Sequence, residues 1–335
     1  HKVDDKSEPL ENAVFGLFRT DCTEFVSANA LMTAVSDENG YFEFNNIPYG
    51  EYAVKEIAAP AGYIFSDEKY HVVINEDGDV IEITAENKPI TVKISKRDIY
   101  GNELKGAKMQ IIDSEDNVVD EWVSDGTNHV VTELPAGEYT LKEIAAPDGY
   151  VIANDIRFTV DVYGNVTVEN VEATVTSENG NPLIVMVDDT TKVQISKQDI
   201  TTGEELPGAT LQIIDEDGNV VEEWVSTDEA HFIEGKLIAG KEYTLRETIA
   251  PDGYEIANEI SFTVNEDGSV TEVVMYDEHT PDLETPPTVT IDTPNTGVSA
   301  DNSAELYLVA AAVIMTFGML ICKKNDKKQR KDDVK

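Results

Sequence analysis

The chain has 335 residues, enough for two or three domains, and its 25 basic and 66 acidic side chains give a formal net charge of −41. Seven of the basic residues follow Cys322, so the preceding body is more acidic still. Such a body repels nucleic acid and anionic membrane, and nucleic-acid binding is excluded. With only Cys22 and Cys322, the fold cannot depend on a framework of disulfides.

Three similar segments follow one another at a spacing of about one hundred residues, which is the size of a small domain. The motif YAVKEIAAPAGY at 52–63 recurs as YTLKEIAAPDGY at 139–150 and as YTLRETIAPDGY at 243–254. The runs between these motifs alternate at period two, are rich in Val, Ile, Thr and Tyr, and are separated by Asp-Gly turns. The sequence therefore predicts three tandem β-sandwiches, which span 1–89, 90–189 and 190–279.

The first segment begins at His1 inside a strand motif, without a signal peptide, so we expect the chain to be the C-terminal portion of a longer precursor. Glu56 continues an apolar face of its strand. Lys2 has the same spacing to a following leucine as Lys96 has in the second segment. Asn87, which follows Ile83 and Ala85 on one face of the last strand, would then be the partner of Lys2 at the end of this domain.

In the second segment three charged residues continue rows of apolar side chains, namely Lys96, Glu143 and Asp188. The third segment repeats them in phase as Lys197, Glu247 and Asp277. Because side chains two apart in a strand point the same way, all six should face the core. Buried ion-pair triads would explain the pattern, as would strand-end residues that reach solvent. We favour a third interpretation, in which burial yields a neutral amine and a protonated carboxyl that condense to an amide, with the Glu shuttling protons.

No residue pattern indicates catalysis on a separate substrate. The five histidines are scattered, and neither a Ser/His/Asp arrangement nor a metal-ligand spacing is present. The acidic turns at 75–79, 215–219 and 265–269 lack the spacing of an EF-hand loop and are interpreted as hairpin turns. We therefore predict no metal site and no cofactor, and an enzyme acting on another molecule ranks last.

The motifs ISKRD, WVSDG, EIAAPDGY and IVMVD of the second segment have counterparts in a known family. The segment resembles the Cna B-type domains of collagen-binding adhesins and of streptococcal fibronectin-binding proteins, including the domain behind the SpyTag/SpyCatcher pair. The third segment resembles the same type and fits the pilin E-box pattern YxLxETxAPxGY, whereas the first looks more like the SpaA-type pilin variant. The resemblance implies an all-β, immunoglobulin-like or prealbumin-like fold closed by an isopeptide bond that a Glu catalyses.

Carried over residue by residue, the resemblance implies one cross-link in each domain. The implied bonds are Lys2–Asn87, Lys96–Asp188 and Lys197–Asp277, and the implied catalytic residues are Glu56, Glu143 and Glu247. Reaction of Lys with Asp would release water, and reaction with Asn would release ammonia.

The C-terminal part is divided into a spacer and a tail. Residues 280–297 are rich in Pro and Thr and end in TPNTG, which predicts an extended spacer. Residues 298–335 contain an apolar run, 306–322, of the minimum length for a membrane helix, and a basic end, 323–335, that favours the cytoplasmic side.

The order of motif, apolar run and basic end resembles the LPXTG sorting signal of Gram-positive wall proteins, with Thr293 in place of the usual Leu. The resemblance implies that a sortase cleaves between Thr296 and Gly297 and joins Thr296 to peptidoglycan. A transmembrane anchor that is never cleaved is the alternative.

These features together predict a wall-anchored structural stalk or pilin-like protein, extracellular on a Gram-positive surface, that presents an adhesive region further upstream. The expected partners are sortase, peptidoglycan and other pilus subunits or a host matrix protein. In the alternative interpretation, one of the three domains is itself the adhesin that binds host matrix protein.

Overall fold

The computed structural model describes residues 1–169 and 174–280. Within these residues, segments with alternating apolar and polar side chains form β-sheets. The described residues form 22 strands and a single 3-10 turn at Ser27–Asn29. Among them, no helix has both the length and the apolar character needed to cross a membrane. Apart from Thr280, the predicted spacer lies outside the described residues, as do the sorting motif and the apolar run at 306–322.

The first pair of sheets is built from residues 1–89. Its strands are β1 (Lys2–Asp4), β2 (Val14–Arg19), β3 (Met32–Val35), β4 (Gly50–Ala58), β5 (Lys69–Ile74) and β6 (Ala85–Asn87). Strands β1 and β6 pair with each other, and the second sheet has the order β3-β2-β4-β5. Phe15, Leu17 and Val54 lie in the core between them.

The second pair of sheets is the most extensive. Its strands are β7 (Thr91–Asp98), β8 (Lys105–Asp113), β9 (Val118–Asp125), β10 (His129–Thr132), β11 (Gly137–Ala145), β12 (Ile156–Val160), β13 (Val166–Val168), β14 (Thr174–Glu178) and β15 (Asn181–Asp188). The orders are β10-β7-β15-β14 and β13-β12-β11-β8-β9. Val92, Ile111 and Leu141, all buried, lie in the core between the two sheets.

The third pair repeats this plan with fewer strands. Its strands are β16 (Lys192–Asp199), β17 (Thr210–Ile214), β18 (Val220–Val225), β19 (His231–Glu234), β20 (Glu242–Ile249), β21 (Ile260–Thr263) and β22 (Val270–Asp277). The orders are β19-β16-β22 and β18-β17-β20-β21. Ile195, Leu211 and Leu245 are buried in its core. The all-β prediction is confirmed, and each pair of sheets encloses a core of its own.

Candidate functional site

In each domain the first and last strands pair in parallel, and this pairing brings a lysine next to an Asp or Asn. The lysine always lies opposite the residue two positions before the Asp or Asn. The opposed pairs are Lys2 with Ala85, Lys96 with Met186, and Lys197 with Met275. Because residues two apart share a face, the lysine and the Asp or Asn are diagonal neighbours in all three domains.

In the second domain Lys96, Glu143 and Asp188 meet in the core. The Lys96 Nζ atom donates hydrogen bonds to Asp188 Oδ1 and, at 3.1 Å, to Glu143 Oε2. The three residues are 3%, 5% and 0% exposed, respectively. The expected grouping is present, and the interpretation as strand-end residues reaching solvent is wrong for this domain.

In the third domain the same arrangement is formed by Lys197, Glu247 and Asp277, all of them buried. The Lys197 Nζ atom donates to Asp277 Oδ1 and lies 3.3 Å from Glu247 Oε1. In both domains the Lys amine contacts the Asp and the Glu, so the repeat in sequence is a repeat in geometry.

The first domain brings Lys2, Glu56 and Asn87 together in a different contact pattern. The Lys2 Nζ atom donates to the carbonyl of Ala85 at 3.3 Å and lies 3.8 Å from Glu56 Oε1. The Asn87 amide nitrogen donates to Glu56 Oε2 at 3.1 Å and to the carbonyl of Ile64. Glu56 therefore stands between the amine and the amide, and the three side chains are buried.

Each Glu is held by two backbone features. The residue after it is a β-bulge, because the register between β8 and β11 shifts from Glu143 to Ala145, with equivalent shifts in the other two domains. A bulge re-aims the neighbouring side chain. In addition, one carboxylate oxygen accepts a backbone N–H from the residue ten positions later. The donors are Ser66, Ala153 and Ala257, at 2.8, 2.7 and 2.7 Å.

The sequence reasoning missed these donors, because a backbone N–H leaves no signature in residue type. Once the structure identifies the donors, their constant spacing of ten residues from each Glu shows that Ser66, Ala153 and Ala257 form a matched set.

Burial shifts the protonation of the three sites toward neutral forms. It lowers the pKa of Lys2 to about 8, against the attraction of Glu56. It raises the pKa of Asp188 to about 7, against the attraction of Lys96. In the third domain burial raises the pKa of Glu247. A site with one amine and two carboxyls has an excess negative charge when all are ionised, so burial favours an extra proton on its carboxyl pair.

The same two oxygens are buried without a hydrogen-bond partner in every site. They are one Glu oxygen and the side-chain oxygen of the Asp or Asn, namely Glu56 Oε1 with Asn87 Oδ1, Glu143 Oε1 with Asp188 Oδ2, and Glu247 Oε1 with Asp277 Oδ2. Two acceptors cannot satisfy each other. A proton on the Glu would provide the missing donor and would polarise the carbonyl of the Asp or Asn.

Elsewhere in residues 1–169 and 174–280, no group of three or more His, Cys, Asp or Glu residues is arranged to hold a metal ion. The acidic turn at 215–219 is closed by hydrogen bonds within the turn: the side-chain oxygen Asp215 Oδ1 accepts the backbone N–H groups of Asp217 and Asn219 at 3.0 and 2.8 Å. The predicted sortase residues, Thr296 and Gly297, lie outside the described residues.

Comparison with known proteins identifies relatives among Gram-positive surface proteins. The chain is 25% identical over 169 residues to the trypsin-resistant surface T6 protein of Streptococcus pyogenes serotype M6, a match that covers 50% of this chain and 27% of that protein. The Bacillus anthracis TIE protein is 27% identical, with a TM-score of 0.40, over 83% of this chain and 50% of that structure. The shaft pilin SpaA from Lactobacillus rhamnosus GG is 16% identical, with a TM-score of 0.27, over 58% of this chain and 98% of that structure.

The chain thus spans about a quarter of the T6 protein and half of the TIE structure. A single family model, described as a SpaA prealbumin-like fold domain, matches residues 1–89, 90–181 and 191–279. It covers all three domains, although its second match ends before Asp188. The division into a SpaA-like first domain and two Cna B-type domains stays a prediction. The protein belongs to the SpaA prealbumin-like fold domain family and contains three such domains in tandem.

Proposed function

We propose that this chain is a structural stalk of a Gram-positive cell surface, whose domains each close themselves with an isopeptide bond between the first strand and the last. The observation that supports the proposal most directly is the repeated diagonal placement of Lys and Asp or Asn across a parallel strand pair, with a buried Glu beside them.

The second domain illustrates the reaction. With one extra proton on the carboxyl pair, transfer of the Lys96 proton leaves a neutral amine, a protonated Asp188 and a protonated Glu143. The amine nitrogen attacks Asp188 Cγ, and Glu143 accepts a proton from the nitrogen while it donates its own to the departing hydroxyl. A C–N bond forms, a C–O bond breaks, water leaves, and Glu143 ends in its starting form. Fixed contact in the core replaces a high reactant concentration.

The first domain would lose ammonia instead of water. The Lys2 amine, whose pKa burial lowers to about 8, is the nucleophile. Glu56 contacts both reactants and can transfer a proton from the amine to the Asn87 amide nitrogen, which already donates to it at 3.1 Å. The bond to Asn87 Nδ2 breaks, and ammonia departs.

The benefit of such a bond follows from where it is placed. Lys96 and Asp188 are 92 positions apart, so the bond closes almost the whole domain into a ring. The chain-entropy model of cross-links gives roughly 4–5 kcal/mol of stabilisation for a ring of this size. An amide is not reducible, and a pull on both ends of the domain would pass through the bond rather than unravel the sheets.

Intact-mass measurement of the chain tests the proposal. Full reaction removes two waters and one ammonia from the mass of the sequence. A mass equal to that of the unmodified sequence would refute the cross-links in all three domains. Tandem mass spectrometry of proteolytic fragments then assigns each loss, since a bond between Lys197 and Asp277 joins two peptides that are distant in sequence.

Wall attachment is a separate part of the proposal and is supported by the TPNTG motif with its apolar run and basic end. A sortase would join Thr296 to peptidoglycan and release Gly297 and all that follows. Expressed in a Gram-positive host, the chain should be recovered from the wall fraction after muramidase digestion. Thr296→Ala should leave it uncleaved in the membrane fraction, and wall recovery of this variant would refute sorting at this site.

The T6 relative is described as trypsin-resistant, and the solved structures similar to this chain include a shaft pilin. We extend both properties to this chain: resistance to trypsin, and association with other pilus subunits on the cell surface. Covalent closure would hold the domains folded, and a folded domain presents few cleavable backbone segments. Digestion with trypsin should spare residues 1–280 in the cross-linked protein and cleave the domain in which the Glu has been replaced.

A further inference from the structure

The three domains are joined in series by a contact that is repeated at both joints. The carbonyl of Gly62 accepts the N–H of Ile90 at 2.8 Å, and the carbonyl of Gly149 accepts the N–H of Thr191 at 2.9 Å. Each glycine belongs to the Ala-Pro-x-Gly-Tyr turn of the upstream domain. We call the segments 62–64 and 149–151 docking turns.

Both docking turns touch the backbone of the following domain so closely that only glycine fits. A Cβ on Gly62 would lie 2.4 Å from the carbonyl oxygen of Glu133, and one on Gly149 would lie 2.2 Å from that of Gly235. The two residues approached share a backbone conformation, since Glu133 has a φ of 58° and Gly235 a φ of 67°. Few non-glycine residues adopt this left-handed conformation, so Glu133 is a specific feature of the joint.

An aliphatic residue of the docking turn completes each joint. Ile64 packs against the core of the second domain, where a Cβ on Gly164 would be 3.4 Å from it. Val151 is 6% exposed and lies 3.8 Å from the position of a Cβ on Gly268 of the third domain. We call the surface that contacts the docking turn of the preceding domain the receiving face. It consists of a left-handed residue and a turn glycine, which are Glu133 and Gly164 in the second domain and Gly235 and Gly268 in the third.

The first domain has the same receiving face. Asn46 aligns with Glu133 in NIPYGEY and ELPAGEY, and its φ is also 58°. Gly78 occupies the place of Gly268 in the turns NEDGD and NEDGS, but no atom lies within 4 Å of the position of its Cβ. A non-glycine left-handed residue and an open turn glycine are thus present at a face that the described residues leave uncovered.

Apolar side chains around the receiving face of the first domain are more exposed than their counterparts in the other two domains. Ile47 is only half-buried, whereas its counterparts Leu134 and Leu237 are each 1% exposed. Tyr49, in the same turn, is 67% exposed, and Val80, next to the open turn, is 81% exposed. Exposed apolar side chains grouped around one end of a domain are typical of a contact surface.

The far end of the third domain differs from the docking turns of the other two. Its turn has the same backbone, since Gly253 accepts the N–H of Thr280 at 2.9 Å, but Gly253 is exposed with nothing near its Cβ position. Glu255 stands where the other turns have Ile64 and Val151. Burying an unpaired carboxylate is costly, so a second copy of this chain is a poor partner for the open face.

We propose that the face formed by Asn46, Ile47 and Gly78 receives another β-domain of the same family, one whose docking turn reads Gly-Tyr followed by an aliphatic residue. The two occupied joints show the required chemistry: a glycine against a left-handed backbone and an aliphatic side chain over a turn glycine. The proposal does not depend on the cross-links, because Asn46, Ile47 and Gly78 belong to none of the three sites.

A four-domain chain tests the proposal. A second copy of residues 90–195 is placed directly before His1, which keeps the strand register because Lys2 and Lys197 occupy the same place in the repeat. Spin labels are attached to cysteines introduced at exposed Glu138 of the added copy and at exposed Glu38, in a background without the native cysteines. Pulsed electron paramagnetic resonance then measures the distribution of distances between the two spin labels across the new joint.

We expect a distribution as narrow as that measured across the joint between the original first and second domains. Val151→Glu in the added copy alone, which reproduces the third domain's charged turn, should broaden it, while near-ultraviolet circular dichroism verifies that the copy remains folded. A broad distribution in the parent four-domain chain, or one that Val151→Glu leaves narrow, would overturn the proposal.

Discussion

Replacement of Glu143 by Gln separates the chemistry of the second domain from its packing. The amide keeps the size of the side chain and still accepts the N–H of Ala153, which lies 2.7 Å from the carboxylate. It cannot relay a proton from the Lys96 amine to the departing hydroxyl, so the bond to Asp188 should not form. We expect the variant to be heavier than the parent by one water after allowance for the substitution itself.

The expected loss of stability follows from the ring that is opened. With 92 positions between the bonded residues, the entropy term is roughly 4–5 kcal/mol. For a domain of about 100 residues, each kcal/mol shifts the melting temperature by about 4–8 °C, so the second domain should melt roughly 16–40 °C lower. Scanning calorimetry should show one displaced transition, with the third domain's transition unchanged.

A matched control is available on the same strand. Glu138→Gln changes an exposed side chain of β11 and should alter neither the mass loss nor the melting temperature. If Glu143→Gln still loses the water, Glu143 is not required for the reaction. If the water is retained but the melting temperature hardly moves, the ring contributes far less than the chain-entropy model requires.

Two further measurements address the first domain and the joints between domains. In Asn87→Ala, which cannot cross-link, a pKa of about 8 for buried Lys2 means that the unfolded domain binds more protons than the folded one above about pH 8. Its free energy of unfolding should therefore rise from pH 8 to about 9.5 in urea titrations, and a flat or falling profile would contradict a neutral folded amine. Gly149→Ala and Gly253→Ala both add a Cβ at a left-handed position (φ +84° and +91°), but only the first meets a backbone carbonyl. Small-angle scattering should show a change in the arrangement of the domains for Gly149→Ala alone, and equal effects of both variants would contradict the joint.

Residue order alone was sufficient to predict the clusters of the second and third domains. Period two places Lys96 in a row with Val92 and Ile94, and the structure buries all three. The same reasoning assigned Glu143 to the core. It worked because a strand has only two faces, so an apolar row fixes the direction of any charged residue in phase with it.

What the sequence did not reveal depends on the backbone. The bulge after Glu143 and the N–H of Ala153 are conformational features that several residue types would allow. Strand β14 was also missed as a difference between domains. It covers the edge of β15, whereas the equivalent strand of the third domain, β22, has no neighbour on that side among the described residues. In the first domain, the register of Lys2 against Ala85 could be established only from the strand pairing itself.

The joints between domains depend mainly on main-chain atoms, and this has a consequence for how such a protein changes over generations. The residue approached by the docking turn is Glu133 in one joint and Gly235 in the other, so the joint requires a left-handed backbone at this position and not one particular side chain. Duplication of the second domain in the gene would bring both halves of a working joint with it, since this domain has both a receiving face and a docking turn with an aliphatic residue. The number of domains in such a chain can therefore change by adding or losing whole domains, while the exposed surfaces of each domain diverge independently.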